Sequence, residues 1–128
     1  MILILISMPD DFVTITQMKK SVMEFCDIRD WDQYHSPKDL AIGIVTEASE
    51  LLEFFRFKNE NQIDELLKSD EGRTKIGEEL ADVLYFLIRF AQMNEFDLSD
   101  ELIRKLAINE ERYPIEKARG LNKKYDEL

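Results

Sequence analysis

Glu47-Ala-Ser-Glu50 and Glu79-Leu-Ala-Asp82 decide how this chain is read. Each stretch sets two carboxylates three residues apart inside a segment with helical periodicity. At about 3.6 residues per turn, positions i and i+3 lie roughly 60° apart on one face. The neighbours are core-forming: Val45, Ala48 and Leu51 around the first pair, Leu80, Val83 and Leu84 around the second. Acids turned towards an interior are costly unless something cationic compensates them. A hard dication is the natural compensator, because it takes oxygen ligands and leaves positions for water and phosphate. Two long helices joined this way should pack antiparallel. Glu47, Glu50, Glu79 and Asp82 could then meet at mid-helix, where Mg²⁺, with Mn²⁺ as a substitute, would relieve their mutual repulsion. Glu53 continues the first stripe and Glu78 adjoins the second, so either could hold a further metal or orient a water. A single Glu-x-x-Glu is more often a solvated helix face; it is the pairing of two such motifs that points to a site. A di-iron bundle would add Glu-x-x-His pairs, and the one histidine, His35, lies outside the acidic helices.

Around these two helices the rest of the chain also reads as helix. Ile15, Met18, Val22 and Phe25 recur at helical spacing over about 16–29. Ser36 is a good N-cap, with Pro37 at the first helical position, for a helix reaching about Phe57. A short amphipathic helix falls within 59–70, and Gly72 is expected to mark the turn out of it. A long helix follows from about Arg73 to Met93. Ser99 is expected to cap a further helix ending near Tyr113, since Pro114 disfavours helix at the residue before it. The expected fold is all-α, of four-helix-bundle type. It forms one domain over 1–128, with an arm at 1–15 and a basic tail at 115–128. The breadth of the apolar faces implies burial on more than one side, within a bundle or against another subunit.

With 128 residues, 45% of them hydrophobic, the chain is long enough for a real core. A formal net charge of -10 argues against an electrostatic grip on a nucleic acid polymer. The single cysteine, Cys26, excludes an internal disulfide, suits a reducing cytoplasm and reads as a small buried hydrophobe. Met1-Ile-Leu-Ile-Leu-Ile6 is too short to span a bilayer and lacks the flanks of a signal peptide. It reads as a strand-like arm pairing between subunits, or as dispensable if translation begins at Met8. The terminal Tyr125-Asp-Glu-Leu128 has no use as a retention signal without a secretory leader.

Three further stretches complete a pattern: Arg29-Asp-Trp-Asp-Gln-Tyr-His-Ser-Pro-Lys-Asp-Leu40, Glu78-Glu-Leu-Ala-Asp-Val-Leu84 and Arg112-Tyr-Pro114. With Glu47-Ala-Ser-Glu-Leu51, Arg119-Gly120 and Lys124-Tyr125-Asp-Glu-Leu128, the chain over about 16–128 resembles the MazG-like all-α nucleoside triphosphate pyrophosphohydrolases, in particular their dCTP pyrophosphatase branch. The resemblance implies Mg²⁺-dependent cleavage of a nucleoside triphosphate to monophosphate and pyrophosphate, in a homodimer or homotetramer, as nucleotide-pool house-cleaning. It implies that Glu47, Glu50, Glu79 and Asp82 bind metal and that Trp31 and His35 line the base or sugar pocket. Spacing alone would make Trp31 a core anchor and His35 a surface or cap residue; Tyr34 stays structural. Phe57 and Phe86 stand where the branch places aromatic substrate contacts, usually Trp and Tyr. Lys105, Asn109 and Tyr113, at i, i+4 and i+8, are implied to reach phosphate or sugar, and the basic tail to close over the triphosphate. Thr46 departs from the broader pattern of two adjacent acids, which leaves the number of metal ions open.

Cleavage between the α- and β-phosphates needs charge neutralisation, a stabilised leaving pyrophosphate and an aimed water, which metals and an unsaturated carboxylate can supply. Glu47 or Glu50 is expected to orient that water, with Glu53 as the alternative. The competing readings are a catalytically silent helical module using the acids for metal-dependent assembly, and a regulator that binds nucleotide without cleaving it.

Overall fold

The computed structural model describes residues 9–128, and among these there is no strand. The apolar stretch Met1–Ile6, with its strand-like and alternative-start readings, lies outside the described residues. A 3-10 turn at Asp10–Phe12 leads into α1 (Ile15–Asp27). Thr14 and Gln17 close a reciprocal capping box there, each side-chain oxygen accepting from the other's backbone N–H at 3.1 and 2.7 Å. A second 3-10 turn, Asp32–Tyr34, precedes α2 (Pro37–Glu53). Ser36 caps α2 as expected, its Oγ accepting from Asp39 N at 3.1 Å with Pro37 at the first position. Then come α3 (Glu60–Lys68), α4 (Asp70–Met93), α5 (Leu98–Arg112) and the single turn α6 (Ile115–Ala118).

Three expected boundaries move, each for a local reason. The second helix stops at Glu53, because the chain passes through turns to Phe57, which sits in the left-handed region at φ 62°. Gly72 does not mark a turn. It lies in the first turn of α4, where Ser69 is the cap, and a Cβ there would come within 2.1 Å of the Leu66 carbonyl oxygen. Ser99 is not the cap of α5; Asp97 is, its Oδ1 accepting from Asp100 N at 2.9 Å. Both are good capping residues, and the left-handed Glu95 at φ 59° brings the chain into the helix two residues early.

The described chain forms two compact units, one ending at Glu95 and one beginning at Phe96. In the first, α4 is the central rod: α1, α2 and α3 all pack on it, α2 most extensively. The α2–α4 pair is antiparallel, as three contacts in sequence show. Glu47 and Glu50 meet Glu79, the Gly43 backbone meets the Phe86 ring, and His35 meets Arg89. Cys26, Leu40 and Ile88 have no exposed surface, and Ala91 almost none. Burying Leu40 or Ile88 contributes about 1.5–3 kcal/mol each. The Cys26 thiol meets the Tyr85 hydroxyl at 3.1 Å, tying α1 to α4, and burial followed by this contact pushes the Tyr85 phenol up.

Much apolar surface stays uncovered in the single chain. Ile42, Val45 and Leu52 stand exposed on α2, and Leu80, Leu84 and Leu87 on α4. In the second unit Tyr125 packs edge-on against Tyr113 with centroids 6.0 Å apart, and the Arg112 guanidinium lies over its ring at 4.8 Å. The tail is thereby folded onto the end of α5. No helix among the described residues is long and apolar enough to cross a membrane.

Candidate active site

The helical phase that puts residues three and four apart on one face carries Glu47 and Glu50 on α2 towards Glu79 on α4. One carboxylate oxygen from each of the three lies within 4.8 Å of the other two. Asp82, one turn along α4, stays outside this group and is exposed, yet close enough for its charge to act on Glu47 and Glu79. Burial is the largest influence on Glu47, followed by the hydrogen bond and charge of Glu50 and then the charges of Asp82 and Glu79. Together they push Glu47 up to about 7. Glu79 is raised as well, first by burial, then by Glu50 and Asp82, while a hydrogen bond from Glu47 works the other way. The Oε2 of Glu79 is buried and accepts no hydrogen bond from the described residues.

An orphaned buried carboxylate oxygen, crowded by two more acids, is a donor set suited to a cation. The donors are all hard carboxylate oxygens, with no thiol or imidazole among them, which fits Mg²⁺ or Mn²⁺ rather than zinc. The other proposed acid, Glu53, is turned aside: its Oε1 pairs with Arg56 at 3.2 Å and more than half of the side chain is exposed.

One turn beyond the acids, Phe86 fills the space over Gly43. A Cβ at position 43 would lie 2.5 Å from the ring, so the absence of a side chain there seats the aromatic beside the cluster. In the loop before α2, Trp31 stands edge-on to His35, with centroids 6.2 Å apart, and to Phe25 at 5.6 Å. His35 is half-buried while Trp31 keeps part of its surface open. Acids, Phe86 and His35 thus follow one another along the α2–α4 pair, with Trp31 beside His35 and against Phe25 of α1.

Phe57 does not join this line: it is 89% exposed, its ring under the Arg56 guanidinium at 4.7 Å. Lys105, Asn109 and Tyr113 belong to the second unit, where Lys105 is exposed and the other two are half-buried.

Two features escape the sequence pattern. Arg89 is 1% exposed and bonds His35, Asp32 and Gln92. A lone arginine in an apolar helix face reads as a solvated residue, so only the position of its partners reveals it. The second is a groove of about 470 Å³ between α1 and α4, lined by Val22, Phe25, Ile28, Arg29 and Tyr85 among others. The Arg29 guanidinium caps the Phe25 ring at 3.8 Å there. Glu24 lines this groove, but Glu47, Glu50, Glu79 and Asp82 do not.

The sequence profile of the MazG-like family matches residues 42–128. Human dCTP pyrophosphatase 1 is 36% identical over 115 residues, covering 90% of this chain and 68% of the human protein. The mouse protein of the same name is 34% identical over the same span. Among solved structures, a pyrophosphatase from Archaeoglobus fulgidus superimposes with a TM-score of 0.73 at 32% identity, covering 84% of this chain and 99% of that one.

Proposed function

Because the chain belongs to the MazG-like family and is a nucleotide pyrophosphohydrolase of that kind, we propose that it cleaves a deoxynucleoside triphosphate, dCTP or a modified form of it, to the monophosphate and pyrophosphate. The observation that carries this reading is the convergence of Glu47, Glu50 and Glu79 around an unsatisfied buried oxygen. Glu47, Glu50, Glu79 and Asp82 would hold Mg²⁺, or Mn²⁺ in its place. When bound, the ion neutralises phosphate charge and stabilises the leaving pyrophosphate.

The chain's own residues do the rest. A carboxylate of Glu47 or Glu50 takes a proton from the attacking water. The water oxygen forms a bond to the α-phosphorus as the bridging bond to the β-phosphate breaks. Glu53, paired with Arg56, serves only if that exposed ion pair opens, which costs little. Phe86, Trp31 and His35 offer the base and sugar two aromatic surfaces and a polar edge. Stacking on such surfaces is worth about 1–3 kcal/mol per base. Phe57, Lys105, Asn109 and Tyr113 complete the proposed contacts, supplied within a homodimer or homotetramer. The exposed stripes of α2 and α4 support that assembly. The proposed setting is a single cytoplasmic domain that cleans the nucleotide pool, without nucleic acid or membrane partners.

The test is incubation with the eight common nucleotides and Mg²⁺, followed by separation of monophosphate and pyrophosphate. Product with dCTP foremost is the expected result. Tight binding without product would favour a sensing role, and neither binding nor product an assembly module.

A further inference from the structure

Arg89 is 1% exposed, yet it carries a permanent charge between the buried Ile88 and Ala91. Each of its three nitrogens donates one hydrogen bond: Nε to His35 Nδ1 at 3.0 Å, Nη1 to Gln92 Oε1 at 2.6 Å and Nη2 to Asp32 Oδ1 at 2.5 Å. A guanidinium has donors only and keeps its proton at any working pH. The ring nitrogen facing its Nε–H must therefore present a lone pair.

We propose that Arg89 is a positioning residue: it holds His35 as the neutral tautomer protonated on Nε2, so that the imidazole offers the nucleotide a fixed hydrogen-bond donor. The use of that donor by a nucleotide rests on the pyrophosphohydrolase reading; the tautomer itself does not.

The charges around the ring come from three elements. Arg89 on α4 opposes a second proton, whereas Asp32 in the 3-10 turn and Asp39 on α2 favour one. Burial sides with Arg89, and the balance lowers the His35 pKa. Asp39 is partly engaged already, accepting from Ser36 Oγ at 2.8 Å. The carboxylate pull is weakened further because most of the Asp32 side chain is exposed. A conventional surface ion pair would need neither the burial of Arg89 nor a bond to the imidazole.

His35 is the sole histidine, so ¹⁵N-resolved spectra of tag-free protein report its tautomer directly, without substrate and without any variant. The expected spectrum shows an unprotonated Nδ1 and a protonated Nε2 from about pH 6 to 8, across the usual histidine pKa of about 6.5. In Arg89→Met the ring should populate both tautomers and titrate near that ordinary value. KM for dCTP with Mg²⁺ should rise roughly three- to tenfold, the worth of one hydrogen bond, with kcat within about twofold. A wild-type ring that is protonated on Nδ1, or that titrates near 6.5, would overturn the proposal. So would an Arg89→Met protein with the wild-type tautomer and an unchanged KM. If the tautomer is as expected but no nucleotide is turned over by the wild type, the clamp is supported and the pyrophosphohydrolase reading is what fails.

Discussion

Glu47 and Glu50 can be tested by replacing single oxygens. Glu50→Gln keeps the size of the side chain and removes its charge, so helix content should persist in circular dichroism. Pyrophosphate release from dCTP should drop by about 10²-fold or more, in the range assigned to general-base groups. Near-normal release would remove Glu50 from the mechanism. The raised Glu47 gives a second, independent test in metal-free protein. Its carboxyl stands at about 7 when folded against 4.5 for the free side chain, so the folded state holds the extra proton between those values. For a raised acid the stabilising share is complete below the unfolded pKa and disappears as pH climbs through the folded one. In EDTA, the Tm contribution from this group should fall from about pH 4.5 to beyond 7, and Glu47→Gln should flatten the slope. Saturating Mg²⁺ should raise Tm most at the alkaline end, by mass action on the folded state. A slope that Glu47→Gln leaves unchanged would count against the cluster. These acids were legible in the sequence because their spacing repeats on two helices. Arg89 was not, because nothing local distinguishes a buried guanidinium from a solvated one.

Among the elements, the junction of α3 and α4 shows how one serine organises two helices. Ser69 Oγ accepts from Gly72 N at 3.0 Å and donates to the Leu66 carbonyl at 3.1 Å, closing α3 and opening α4. Ser69→Ala should cost about 1–2 kcal/mol in urea unfolding. Gly72→Ala should cost at least as much, about 1–3 kcal/mol, since its new Cβ would press on the backbone oxygen of Leu66. Equal stability of Gly72→Ala and wild type would show that the junction can spread. The existence and order of the long helices could be read from period, caps and Pro114. Their ends could not, because Gly72 and Ser99 are the residue types that stop or start helices and here do neither. α4 shows a second limit of the pattern. Its apolar residues face two ways; Ile76 and Ile88 are buried in the chain while Leu80, Leu84 and Leu87 are not. Periodicity identifies an apolar face but says nothing of what covers it.

For the whole molecule, those uncovered stripes predict association. Val45 is 70% exposed and Leu84 41%. Val45→Glu with Leu84→Glu should lower the mass seen by light scattering to that of one chain, while leaving far-ultraviolet circular dichroism largely helical. A wild-type protein that is already monomeric at micromolar concentration would remove the assembly proposal and leave the carboxylate cluster standing. Asp30, Phe57 and Glu95, with φ of 53°, 62° and 59°, follow α1, α2 and α4, and none of them is glycine. Left-handed backbone costs a residue with a Cβ about 1–2 kcal/mol. The first unit therefore keeps unspent stability at the points where its rods end, and Glu95→Gly is the least encumbered place to release it. An engineer seeking a hardier variant could begin at the Glu95 corner, a residue to which the chemistry gives no role.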